Sequence, residues 1–225
     1  MAQSAVRHGG IQTPRGYRFE ITGGHLALDL ANTVDVRPTP EPRELLRDWA
    51  DLVGWSVQAH AIDAPSGRRL AGEGARRPEE AGAVLRRVRF LREALFTIFS
   101  SIAAGRPVPP DSLAALNDAA ALALARRRVV SRRGGFEWTW QHPEGSLDTM
   151  IPPVVHAAAD LLCTPDLLAR VRACAARDRC AWLFLDLSRN GSRRWCDMSV
   201  CGNRAKARRF YQRIARTSRH RAARA

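Results

Sequence analysis

Four cysteines crowd the last quarter of the chain in two pairs: Cys174 and Cys180 with five residues between them, then Cys196 and Cys201 with four. Fifteen residues separate the pairs. Two short thiol-bearing loops joined by a hairpin-sized insert can surround one tetrahedral metal ion. The insert, AWLFLDLSRNGSRRW, reads as a strand, a turn at SRNGS and a return strand ending at Trp195. The second pair runs directly into GNRAKARRFYQRIAR, a predicted helix that Asn203 is placed to cap, with Gly202 letting the chain turn at the metal. Knuckle, hairpin and second knuckle at a helix start make a treble-clef-like layout with four cysteine ligands. The plainer alternative is four buried free thiols, which are ordinary core residues. Against it, this segment has little apolar material of its own, and a fold that small generally needs a staple. A bound metal supplies that folding free energy. Cys163, inside the apolar run HAAADLLC, is read as core packing.

The charge is as uneven as the cysteines. Of 36 basic and 22 acidic residues, 16 and 4 fall in residues 165–225, a net of +12, and the other 20 and 18 give the body only +2. A near-neutral body with a basic C-terminal quarter is the footprint of a polyanion-binding module. Lys206 stands alone against 35 arginines. That bias fits a GC-rich bacterial genome, so the preference for arginine carries no weight, whereas the asymmetry does. No stretch reaches the roughly 20 apolar residues of a membrane span. The first residues lack the apolar core of a secretory signal, and the cysteine count is odd. Both favour a reducing cytoplasm and metal over disulfides.

Along the chain the pattern predicts an α+β protein: a mostly helical body with a small antiparallel sheet, followed by the finger. Residues 1–17 read as a flexible tail, 18–164 as the body, 165–217 as the finger with its basic helix, and 218–225 as a basic tail. RFEI suggests a short strand, and GGHLALDLANT a helix. Pro42 is placed to start a helix carrying Leu45, Leu46, Trp49, Leu52 and Val53. APSGRRLAGEGARRP, rich in glycine, reads as a connector. Ala81, Leu85, Val88, Leu91, Leu95, Ile98 and Ile102 form one stripe of a long helix. Another helix follows, capped at Asp111 or Ser112. Then the period changes to two in RVVSRRGGFEWTWQ, a hairpin turning at Gly134–Gly135 whose Trp138 and Trp140 cover the core. A helix from Pro152–Pro153 and a restart capped by Thr164 with Pro165 behind it complete the body.

The segment CAWLFLDLSRNGSRRWCDMSVCGNRAKARR resembles the CGNR zinc finger family, and GGHLALDLANTVDVR resembles the signature of the ABATE domain that usually precedes that finger. The resemblance implies a stress-induced transcription regulator whose finger binds DNA. It also implies one structural Zn2+ per chain on Cys174, Cys180, Cys196 and Cys201, the first pair being one residue wider than the family's usual spacing.

On a helical wheel Ala207, Phe210, Tyr211 and Ile214 fall within about 100°. This stripe is expected to pack on WLFLDL, leaving Arg204, Lys206, Arg208, Arg209, Arg213 and Arg216 outward. Arg189, Arg193 and Arg194 would extend that surface, and Asp186 is read as structural. Such a face could enter a major groove or follow phosphates, with RNA or the transcription machinery as alternative partners. In the body, His25, Asp29, Asn32 and Thr33 share one side of the first helix. They are a candidate pocket for a small-molecule effector, or else caps and buried hydrogen bonds fixing that helix. No HExxH, GxSxG, GxGxxG or P-loop pattern occurs, so no enzyme is expected. Replacing Cys196 by serine is expected to unfold the finger and spare the body.

Overall fold

The computed structural model describes residues 9–14 and 16–222, with side chains as far as residue 215. The remaining parts of both predicted tails, and the side chain of Arg216, lie outside the described residues. Strands β1 (Gly10–Thr13) and β2 (Gly16–Phe19) pair antiparallel, so part of the segment expected to be a tail is a hairpin. Helix α1 (Leu26–Ala31) follows, buried along nearly its whole length. Next come the two-residue strands β3 (Val34–Asp35) and β4 (Arg43–Glu44), paired antiparallel.

Helix α2 (Trp49–Gln58) begins later than Pro42 suggested. Asp48 takes the cap, its carboxylate accepting from the Asp51 N–H at 2.8 Å. Leu45 and Leu46 are buried as expected, but from the loop before the helix. The supposed connector is a helix, α3 (Ala64–Arg76), capped by Asp63. Its glycines allow close packing instead of breaking the helix. A Cβ at Gly67 would lie 2.4 Å from Val57 Cγ2, and one at Gly74 would lie 2.0 Å from Trp49 Nε1. The glycine-rich face of α3 thus lies directly against α2.

Helix α4 (Pro78–Ala103) is the spine. Its predicted stripe is buried from Ala81 to Ile98, and it touches α1, α2, α3 and α5 (Pro110–Leu124). Arg92, only 4% exposed, reaches off it and forks both carboxylate oxygens of Glu44 at 2.6 and 2.7 Å, which fastens β4 to the spine. Strands β5 (Arg127–Arg132) and β6 (Gly135–Trp140) form the expected hairpin, with Arg133 and Gly134 as its two turn residues. Trp138 does not cover the core: it is 62% exposed, and Phe136 is 80% exposed. Trp140 does turn inward, edge-on to His156. Helix α6 (Ile151–Leu162) packs on α1 and α5. Cys163, just past its end, is exposed and not part of the core. The short α7 (Pro165–Leu168) gains no side-chain cap from Thr164, whose hydroxyl donates back to the Asp160 carbonyl.

The last quarter holds β7 (Val171–Ala173), β8 (Leu183–Leu185), a π-helical turn over Met198–Gly202 and helix α8 (Asn203–Ala222). Strand β8 pairs antiparallel with β7, upstream of the first knuckle, and not with a return strand inside the insert. Both strands lie on α4, and β8 also meets α1. One buried apolar cluster runs from Phe19 through the body to Cys201. Among the described residues no helix is long and apolar enough to cross a membrane.

Candidate metal centre and basic groove

The four cysteines converge as the spacing implied. Cys174 follows β7, and its N–H donates to the Trp182 carbonyl, which places the first thiol beside the end of β8. Cys180 closes a tight turn by donating its N–H to the Ala176 carbonyl at 2.7 Å. Cys196 and Cys201 flank the start of the π turn, whose cap is Asp197, not Asn203: the Asp197 carboxylate accepts from the Val200 N–H at 2.9 Å. Asn203 instead donates its amide to the Ser199 carbonyl. Gly202 does not take the left-handed backbone that a glycine-requiring turn would need, and a Cβ there would meet only the movable Sδ end of the half-exposed Met198 side chain.

All four Sγ atoms lie within 4.8 Å of one another and are buried, with Cys180 to Cys196 at 3.6 Å and Cys196 to Cys201 at 3.7 Å. Those separations exceed a disulfide bond by far. They match the edge of about 3.8 Å that a tetrahedron with arms of about 2.3 Å requires, so the donors fit a zinc–tetrathiolate centre. The wider first pair still brings Cys174 into the set. Mutual hydrogen bonding alone lowers the Cys174 thiol and raises those of Cys180 and Cys196, so all four can be thiolates together only around a bound cation.

The finger is sewn to the body by the residues singled out near the N-terminus. The Asn32 side chain, 3% exposed, donates to the Leu183 carbonyl and accepts from the Leu183 N–H, both at 2.8 Å. Trp182 donates its indole N–H to the Val34 carbonyl at 2.9 Å, and the Leu185 N–H reaches the Gly23 carbonyl at 2.8 Å. Asp29 is buried and accepts from the Gly23 N–H at 2.7 Å, which fixes the loop that β8 meets. Burial raises the Asp29 carboxyl to about 6, against the pull of backbone N–H groups from Gly23, His25 and Thr22. Thr33 donates to the Leu30 carbonyl, closing the end of α1. His25 stands half-buried at the N-terminal end of α1, its pKa lowered by burial. Asn32 and, through Gly23, Asp29 are therefore spent on the joint, whereas Thr33 closes its own helix and the buried His25 Nδ1 makes no hydrogen bond.

Arg193 also turns inward. Its guanidinium donates to the carbonyls of Thr22, Trp195 and Cys196 and lies 4.3 Å from the Phe184 ring centre, so it belongs to the joint and not to an outer surface. Asp186 is fully buried and structural as expected, accepting from Ser188 and from the Arg193 N–H. Burial alone would raise its carboxyl, yet these donors hold it below the usual range.

Helix α8 is mounted the opposite way round from expectation. Phe210, Tyr211 and Ile214 are 51%, 68% and 48% exposed and do not pack on β8, whose own side chains are buried against the body. The face turned toward the finger carries Arg204, Arg208 and Gln212, one turn apart. With Arg179, Arg194 and Arg209 these line a groove of about 760 Å³ beside the cysteines. Trp195 lines the same groove, with the Arg194 guanidinium 5.2 Å from its ring centre. One carboxylate, Asp178, reaches in and pairs with Arg208 at 2.8 Å. Lys206 and Arg213 lie outside it, around Phe210, and Arg189 is exposed on the loop after β8. Trp195 had no place in the sequence-based site; its position between a run of arginines and a cysteine was the available signal.

A helical body fused to a four-cysteine metal-binding finger that opens a basic helix is the class this arrangement defines. The chain belongs to the ABATE family, whose model, described as "Putative stress-induced transcription regulator", matches residues 24–165. The CGNR zinc finger model matches residues 170–214. Among curated proteins none matches the chain.

Proposed function

We propose that this protein is a non-enzymatic transcription regulator that binds DNA through its finger, with one structural zinc ion per chain held by Cys174, Cys180, Cys196 and Cys201. The ion would close the two knuckles and fix the start of α8; no chemistry beyond structure is assigned to it. The observation that carries the reading is the arginine-lined groove beside the metal centre, set on a mount that is continuous with the body's core. A polyanion bound there gains from counterion release at every phosphate neutralised. The protein would act in the cytoplasm, at the nucleoid.

A salt titration tests this. With roughly six phosphates neutralised, affinity for DNA should fall by about 10³ between 50 and 200 mM salt. Replacing Arg204 and Arg208 together by alanine should weaken binding and flatten the slope by about two contacts. No binding at low salt, or binding indifferent to both substitutions, refutes the assignment. A second reading has its own support: the exposed stripe of Phe210, Tyr211 and Ile214 suits contact with a protein of the transcription machinery. A pull-down from nuclease-treated lysate separates the two, because only a protein partner survives the nuclease.

A further inference from the structure

The two faces of α8 differ in a way that bears on which form of nucleic acid the finger takes. A helix that reads a duplex enters the major groove with its polar side outward. Here the side away from the finger mixes Lys206 and Arg213 with the exposed Phe210, and the row Arg204, Arg208, Gln212 faces the finger's own groove. Five arginines, Arg179, Arg194, Arg204, Arg208 and Arg209, therefore surround a concavity.

The concavity also contains an aromatic ring. The half-buried Trp195 lines it together with Arg179 and Arg194, and also lines a second hollow of about 470 Å³. A basic groove with an aromatic platform is what a strand with unstacked bases needs. The cations follow the phosphates, and a base lies on the ring whatever its identity. A paired duplex keeps its base faces stacked inside and presents none to such a ring.

We propose that the groove between residues 175–180 and α8 takes an unpaired nucleic-acid strand. One base stacks on Trp195, and the neighbouring phosphates lie on Arg179, Arg194, Arg204 and Arg208. This rests on the nucleic-acid reading above and narrows it from DNA in general to exposed strand. The Asp178 carboxylate, paired with Arg208, is displaced from that arginine when a phosphate arrives.

The test uses the full, zinc-loaded chain and three labelled probes of equal length at one salt concentration: oligo(dT), oligo(U) and a mixed-sequence duplex. Single strand should bind at least ten-fold tighter than duplex, and comparison of oligo(dT) with oligo(U) shows whether the strand is DNA or RNA. Oligo(dT) should also quench part of the tryptophan fluorescence. Trp195→Ala should lower single-strand affinity about ten-fold, the loss of one base–aromatic stack, and leave duplex affinity within two-fold. Trp195→Phe, which keeps a ring and guards against misfolding, should retain single-strand binding within three-fold and lose that part of the quench. Equal or tighter binding of duplex, or a quench unchanged in Trp195→Phe, overturns the strand assignment while leaving nucleic-acid binding intact. Failure of all three probes to bind at low salt overturns both.

Discussion

The side-chain amide of Asn32 and the backbone of Leu183 satisfy each other in both directions at 2.8 Å, across 151 residues of sequence. Truncation to alanine would leave a buried N–H and a buried carbonyl without partners. At about 1–3 kcal/mol for each orphaned group, Asn32→Ala should cost roughly 2–5 kcal/mol, read as a lower denaturation midpoint. Asn32→Asp should not rescue it, because a carboxylate cannot donate to the Leu183 carbonyl.

Because one core joins body and finger, metal removal should be felt throughout. A strong zinc chelator, or Cys196→Ser, is expected to lower the melting temperature of the whole chain in a single transition. Amide exchange at Leu28 and Leu30 of α1 should rise alongside that of Leu183. This differs from what the charge boundary alone suggests, namely a body that survives its finger. A body transition at unchanged temperature after zinc loss would restore that simpler picture.

Asp29 gives a pH signature. Its folded pKa is raised from 3.8 to about 6, chiefly by burial. The folded chain then holds this proton between about pH 4 and 6, where the unfolded chain has released it. The group's contribution to stability therefore falls as pH rises through that window. Two units set a ceiling of about 3 kcal/mol. The difference in unfolding free energy between Asp29→Asn and the parent should change in the variant's favour from pH 4 to pH 6.5. Taking the difference cancels Asp148 and Asp186, whose lowered pKa values act in the opposite sense.

Two glycines of α3 should respond to alanine with opposite signs. A Cβ at Gly72 meets nothing within 4 Å, so Gly72→Ala should stabilise by about 1 kcal/mol through helix propensity. At Gly74 the new methyl would overlap the Trp49 indole, whose N–H donates to the Leu70 carbonyl at 3.0 Å. Overpacking of about 1–3 kcal/mol or more should outweigh the propensity gain. Thermal melts of the two variants decide it.

Asp178 is the carboxylate paired to Arg208 in the groove, and both side chains are more than half exposed. Asp178→Asn should leave stability within about 0.5 kcal/mol, as expected of an exposed pair. Nucleic-acid affinity should rise a few-fold at low salt, with a correspondingly steeper salt dependence. Unchanged affinity would mean that Arg208 does not meet phosphate.

What the sequence made legible was whatever depends on local spacing. The stripe of α4 and the alternation of β5–β6 emerged because period and burial agree there. The cysteine set emerged because few ligand arrangements suit four thiols at those separations. The helix α3 stayed hidden because Gly67 and Gly74 answer to Val57 and Trp49, neighbours in space that local propensity does not register. The pairing of β8 with β7 was hidden for the same reason, since SRNGS reads as a hairpin turn whichever partner the strand finds. The wheel of α8 identified its stripe correctly but not its direction. Leu183, Phe184 and Leu185 were already buried by the body, so Phe210 had nothing to pack on. For the polar residues of α1 the sequence left two readings open, because a buried amide bracketing a distant strand and a ligand-binding amide are the same residue type in the same pattern.

The socket for β8 also bears on how such a protein can be divided or recombined. Expressed without its body, the segment 170–214 would expose Trp182, Leu183, Phe184 and Leu185 to water and leave the backbone of Leu183 without Asn32. A finger cut out at the family boundary should therefore be sticky even when fully metallated. A graft onto another scaffold would have to bring along Gly23, Asn32 and Val34. In inheritance as in the laboratory, plug and socket have to travel together.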